Sequence, residues 1–482
     1  MNYRIILNII GKILVIFAAL LLLPLIVGLI YHEDTYLSFI IPIACFLVLG
    51  LPFVLWKPKD KSIYAREGFV IVALSWVIIS LIGSLPFVIS KSIPNYIDAV
   101  FETVSGFTTT GASILGDVES LPRSILFWRS FSHWVGGMGV LVFVLAVLPN
   151  SDTGAIHLLR SESPGPTVDK LVSKMRFTAR ILYGIYLVLT AVEVIFLVCG
   201  GMPFFDSLLN SFSTAGTGGF AIKNASIAGY NSLYSEMVIA VFMFIFSINF
   251  NVYYLILTGH ILKALKSEEF ITYFCMIVAS MFVVAVNILP LYENSFGDAM
   301  RYSFFQVASI SSTTGFVTAD FDQWPALSKC VLIFLMTIGA SAGSTGGGIK
   351  ASRLVIMIKS TIADIKQMIH PRAVVTPRFE WEPIDKKVVT NTRVYFICWF
   401  ALVGLGTILL SLDGFGNLLS NLIASITCIS NTGPGLDLVG PTCNFSGYSY
   451  FSKIVLSVLM LAGRLEIFPI LVLFAPSTWK KH

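Results

Sequence analysis

The sequence predicts an all-α polytopic membrane protein. Two introductory transmembrane helices lead into four repeats, each a helix, a short re-entrant helix with its turn, and a second helix. The repeats are expected to stand pseudo-fourfold around a central hole. Three observations carry this reading. The 482 residues are 56% hydrophobic and only 12% charged, where a soluble chain carries about 25% charged residues. Apolar stretches of the roughly 20 residues that a bilayer core demands recur along the whole length. A Ser/Thr-rich turn ending in Thr-Gly returns four times in one setting.

Taken in order, full crossings are predicted near residues 10–31, 37–56, 69–90, 125–149, 178–200, 235–258, 270–292, 329–368, 393–412 and 453–475. The first is too long and apolar for a cleaved signal peptide and lacks a small-residue cleavage site. Residues 1–66 hold the introductory helices, and the repeats occupy 67–160, 161–265, 266–370 and 371–482. Of the 32 Lys and Arg, all but Lys91, Arg123, Arg129, Lys223, Arg301, Lys329, Lys453 and Arg464 fall in one set of alternating loops and at the two ends. The positive-inside rule then puts both termini and the long basic loops in the cytoplasm. The net charge of +5 reflects this topology, and no nucleic-acid partner is implied. Five of the seven cysteines (Cys45, Cys199, Cys275, Cys330, Cys398) sit in or beside apolar helices as small hydrophobes. Cys428 and Cys443 lie toward the outside, where pairing stays open. The six histidines are dispersed, without metal-ligand spacing.

The four turns read "SGFTTTGAS", "STAGTGGFA", "SISSTTGFV" and "CISNTGPGL", with Thr-Gly at Thr110-Gly111, Thr217-Gly218, Thr314-Gly315 and Thr432-Gly433. Thr-Gly also occurs elsewhere, so the flanks do the selecting. Each of the four follows about a dozen residues, too short to span, rich in Phe, Leu, Ile and small polar residues. Asp98, Asp206 and Asp298 stand near the starts of the first three, where an acid suits a helix N-terminus. Each repeat starts from and returns to the cytoplasm, so all four share one orientation and one axis along the membrane normal. Polar turns meeting on that axis would line a watery path, where non-helical backbone is tolerated.

Such turns are expected to form an ion filter. Inward carbonyls can replace a cation's hydration shell, in a conformation that Gly accepts and most residues resist. No ring of acidic side chains accompanies the turns, which favours a monovalent cation held by carbonyl dipoles. The candidate ion-binding residues are Thr109, Thr110, Gly111, Gly216, Thr217, Gly218, Thr313, Thr314, Gly315, Asn431, Thr432 and Gly433.

Below the third turn, "ASAGSTGGGIKASR" (340–353) interrupts an apolar helix. It misses the phosphate-loop pattern because Ile349 separates Gly348 from Lys350 and Ala351 follows. Gly343, Ser344, Thr345, Gly346, Gly347 and Gly348 are read as a gate across the cavity; the alternative is a plain kink for close helix packing. Arg464, in the last helix, is read as a pore-facing cationic barrier; the alternative pairs it with Glu466 or a carbonyl. Glu193 is read as a buried partner. Arg129 and His133 are read as snorkelling or capping near an outer helix end, and the GGMG at 136–139 as a packing site. The basic segments 150–180 and 350–393 are either a lipid-facing positive surface or a docking face for a cytoplasmic partner.

"VSGFTTTGAS", "STAGTGGFA", "STTGF", "AGSTGGGIK" and "GRLEIFP" together resemble the membrane subunit of the Trk/Ktr/HKT potassium-uptake superfamily, over essentially the whole chain. The two extra N-terminal helices are similar to its TrkH/TrkG branch. The resemblance implies a homodimer in a bacterial inner membrane, with a cytoplasmic nucleotide-binding ring of the TrkA kind as partner. Potassium would sit at the filter residues, this chain would bind no cofactor, and any nucleotide would lie on the partner. It maps the filter glycines onto Gly111, Gly218, Gly315 and Gly433, the gating loop onto Gly339 to Gly348, and the pore arginine onto Arg464. Asn431 and Pro434 bracket the fourth pair and depart from simple repetition. The implied function is potassium uptake through a gated pore, without enzymatic activity. Coupled K⁺/Na⁺ or K⁺/H⁺ symport is the second reading. A polytopic enzyme binding a phosphorylated substrate at the glycine loop is the third.

Overall fold

A long apolar helical run without a sharp bend satisfies nearly all its own hydrogen bonds, the condition for crossing a bilayer alone. In a computed structural model that describes residues 1–56, 58, 64–139, 175–373 and 375–479, six helices meet that condition by length and composition. They are Tyr3–Ile30, Tyr36–Leu55, Arg66–Ile89, Ala179–Cys199, Glu268–Tyr292 and Lys386–Ser411. The first two precede the four units, and the other four each open one. Residues 140–149 of the crossing expected at 125–149 lie outside the described residues. So do 150–174 of the basic segment 150–180.

The second helix of a unit is a different object. Leu233–Ser247 and Phe250–Leu257 form one path bent by 89°. The crossing expected at 329–368 is two helices, Ala326–Ile338 and Ala351–Ile369, separated by a buried loop. The one expected at 453–475 breaks into Tyr450–Arg464 and Phe468–Phe474. The last two breaks fall where the backbone turns left-handed, at Gly339 (φ +70°) and Lys350 (φ +86°), and at Glu466 (φ +58°) and Ile467 (φ +65°), whereas the bend of the second unit passes through Ile248 (φ −79°) and Asn249 (φ −56°). An apolar window detects the oil on both sides of such a break and reads straight through it.

Between the two helices of every unit lies a short helix: Tyr96–Phe107, Phe204–Ala215, Phe296–Ser311 and Leu418–Ser430. None is long enough to span. Asp98, Asp206 and Asp298 occupy first turns, as expected. Asn95, Ser295 and Asn417 accept backbone N–H groups as N-caps. Aromatic packing locks the first short helix to its surroundings. Phe107 meets Phe17 of the introductory pair edge-on at 5.5 Å and Trp128 at 5.7 Å. The Trp128 indole donates to Gly83 O at 2.9 Å. Outward positions stay apolar and bare, as at Val48 (71% exposed) and Ile397 (69%), the pattern of a surface solvated by lipid rather than water. A small antiparallel hairpin, Arg378–Phe379 with Glu382–Pro383, lies between the third and fourth units. Its Glu380 accepts from Ser267 Oγ at 2.8 Å.

Candidate functional site

Each short helix ends in the same way. Its last turn closes through a residue with positive φ, and the next but one is a glycine with positive φ. The pairs are Thr109 (+53°) and Gly111 (+78°), Thr217 (+54°) and Gly219 (+77°), Thr313 (+61°) and Gly315 (+82°), and Asn431 (+56°) and Gly433 (+88°). The residue between them donates its N–H back into the helix each time: Thr110 to Ser105, Gly218 to Ser213, Thr314 to Ser309 and Thr432 to Thr427, at 2.8–3.0 Å. Such bonds satisfy carbonyls that a helix end otherwise leaves orphaned.

The four turns form a closed ring. A Cβ on Gly111 would lie 2.1 Å from Gly218 O, and one on Gly219 would lie 2.0 Å from Thr314 O. One on Gly315 would lie 2.3 Å from Thr432 O, and one on Gly433 would lie 2.5 Å from Thr110 O. Each glycine thus lets the next unit's carbonyl approach, and the fourth returns to the first. Above the ring opens a cavity of about 180 Å³ lined by Gly111, Gly219, Gly315 and Gly433 together. At its rim, the Asn224 amide donates to Asp117 at 2.8 Å and holds that carboxyl below its ordinary range.

This geometry corrects one sequence expectation. In the second turn the position of Gly111 belongs to Gly219, and Gly218 stands where the other turns have threonine. Gly216, included as a candidate, caps the helix one step earlier, like Thr108 and Ser312. The Thr-Gly letters match one residue too soon there. The other ten candidates, Thr217 among them, occupy corresponding places in their turns.

Beneath the ring lies the 339–350 loop. Gly347 N donates to Thr313 Oγ1 at 2.6 Å, and a Cβ on Gly347 would lie 2.2 Å from Ser430 O. Ser341 N donates to Ser247 O at 3.1 Å, and Phe250 N donates to Gly343 O at 3.0 Å, so the loop fills the bend of the second unit. Ala342 N donates to Glu269 Oε1 at 2.6 Å, and Asn249 Nδ2 donates to Glu269 Oε2 at 3.2 Å. Ser344, Thr345, Gly346 and Gly347 are buried, and Gly343 and Gly348 half-buried.

Arg464 reaches this loop. Its guanidinium donates to Thr345 O at 2.7 Å and to Gly137 O at 2.6 Å, with Gly136 O beside it. Glu466 pairs instead with Arg353. Glu193 is fully buried. Cys428 is buried and Cys443 exposed, and both are free thiols.

Arg129 and His133 do not snorkel. They are 4% and 0% exposed and point into the protein. Arg129 binds Glu102 at 2.7 Å, Ala221 O at 2.8 Å and Ser113 Oγ at 3.2 Å. Glu102 also accepts from Ile114 N at 3.0 Å. The strut joins the first short helix to the segments leaving turns one and two, and a buried charge needs such pairing. Hydropathy saw the arginine without its acid, 27 residues earlier. A second acid, Glu102, inside the short helix that already opens on Asp98 was the signal available.

The chain matches the TrkH family, described as cation transport protein, over residues 37–481. It is 34% identical to the Trk system potassium uptake protein TrkH of Salmonella typhimurium, with both chains covered in full. It is 31% identical to the Trk system potassium uptake protein TrkG of Escherichia coli, over 99% of each. The crystal structure of the potassium transporter TrkH from Vibrio parahaemolyticus superposes with a TM-score of 0.90 at 32% identity, over the whole of both chains. The chain belongs to the TrkH family of cation transport proteins.

Proposed function

We propose that the chain takes up potassium through the axis of the four-turn ring, in a bacterial inner membrane, with both termini cytoplasmic. The observation that carries this is the closed succession of carbonyls from Gly218, Thr314, Thr432 and Thr110, each against the preceding unit's glycine. Fixed carbonyl dipoles without acidic side chains suit a dehydrated monovalent cation, and relatives named as potassium uptake proteins make that cation potassium. The cavity above the ring supplies the entrance.

In this reading the 339–350 loop is the gate and Arg464 its latch, because the arginine bonds the loop to the carbonyls of a separate helix. A membrane potential of 100 mV contributes about 2.3 kcal/mol per charge, so inward flux needs no hydrolysis by this chain. A second copy of the chain and a cytoplasmic nucleotide-binding ring of the TrkA kind complete the proposed assembly. The test is rubidium-86 uptake by proteoliposomes with an internal potassium load. Competition by external potassium and not by sodium is expected. Equal competition by both ions, or none by either, would reject the selective ring.

A further inference from the structure

The second turn breaks the pattern of the other three. Where turns one and three carry a pair of hydroxyl side chains, Thr108 with Thr110 (2.7 Å) and Ser312 with Thr314 (2.7 Å), turn two has Gly216 and Gly218. The backbone does not demand glycine at 218, since its φ lies outside the left-handed region that Gly219 occupies. Space demands it. A Cβ on Gly218 would lie 2.3–2.5 Å from Nδ1, Cγ and Cε1 of His133, and one on Gly216 would lie 2.3 Å from His133 O.

His133 belongs to the first unit. Its ring stacks on Phe220 at 4.1 Å between centroids, and Phe220 N donates to its Nδ1 at 3.4 Å. The side chain is fully buried. One residue thus fills both gaps: its carbonyl lies against Gly216 and its imidazole against Gly218.

We propose that His133 is a positioning residue for ion selection. It supplies from the first unit the packing that threonine supplies within the other turns, and so fixes the Gly218 carbonyl that faces Gly111. This rests on the ring being the filter. It makes His133 and Gly218 an exchangeable pair: removing the ring should create the room that a threonine at 218 needs.

The experiment compares Gly218→Thr, His133→Ala and the double variant H133A/G218T, each reconstituted and assayed for rubidium-86 uptake against potassium and sodium competitors. Gly433→Ala serves as a control on the ring itself. Gly218→Thr alone should lose uptake. His133→Ala should keep uptake and lose the preference for potassium over sodium. The double variant should recover both uptake and preference, which a residue serving only stability would not produce. If His133→Ala is not produced in the membrane, Gly218→Thr against the double variant decides. A double variant no better than Gly218→Thr, or an unchanged ion preference in His133→Ala, overturns the proposal while Gly433→Ala still loses selectivity. If Gly433→Ala also keeps normal selectivity, the filter reading fails and this proposal fails with it.

Discussion

The ring of turns and the loop beneath it are both rich in glycine, yet they are held in different ways. Each turn is fastened to its own short helix by repeated backbone bonds, Thr110 to Ser105 and its three counterparts. The loop adds anchors on other units, Ser247 and Phe250 of the second and Arg464 of the fourth, to those on Glu269 and Thr313 of its own third unit. In both regions glycine permits a left-handed backbone and close carbonyl approach, as at Gly315 in the ring and Gly339 in the loop. A self-braced ring can keep its dimensions while the loop moves, because the loop's bonds to other units can open and leave each turn's bonds to its own short helix intact.

That contrast can be broken most severely at the ring. Gly315 has φ +82°, and a Cβ would lie 2.3 Å from Thr432 O. Gly315→Ala should displace a carbonyl by about 1 Å, enough in a positioned site to cost on the order of 10²-fold in rate. Competition uptake should show lost potassium preference as well. Arg464→Ala comes next in size. It removes the bonds to Thr345 O and Gly137 O and should raise flux roughly tenfold, equivalent to about 1.4 kcal/mol off the barrier. Ion preference should stay unchanged, and a shifted preference would tie the arginine to the ring instead. Glu269→Gln keeps the shape of the loop anchor and removes its charge, weakening a bond class worth about 1.5–3 kcal/mol. A smaller rise in flux is expected, checked in the same assay. Glu193→Gln should change nothing, and loss of a pH-dependent flux component on this substitution would favour the proton-coupled reading.

Much of this architecture was legible in the sequence because lipid imposes simple rules. Span length, turn recurrence and flank composition follow from hydrophobic thickness and from the demand that backbone polar groups be satisfied. Turns one, three and four were readable letter by letter. Turn two was misread by one residue, since Gly218 takes the place of a threonine whose space His133 fills from 85 positions away in the chain. The break at Glu466 and Ile467 was invisible because neither residue type signals left-handed backbone. The Arg129–Glu102 strut was missed for a related reason: a charge in an apolar helix reads as exposed until its partner is known.

The most direct test of the central claim is anomalous diffraction from crystals grown in thallium or rubidium. The account predicts density on the axis, ringed by the carbonyls of Thr110, Gly218, Thr314 and Thr432. Strong anomalous density elsewhere in the protein, with none inside the ring, would contradict it.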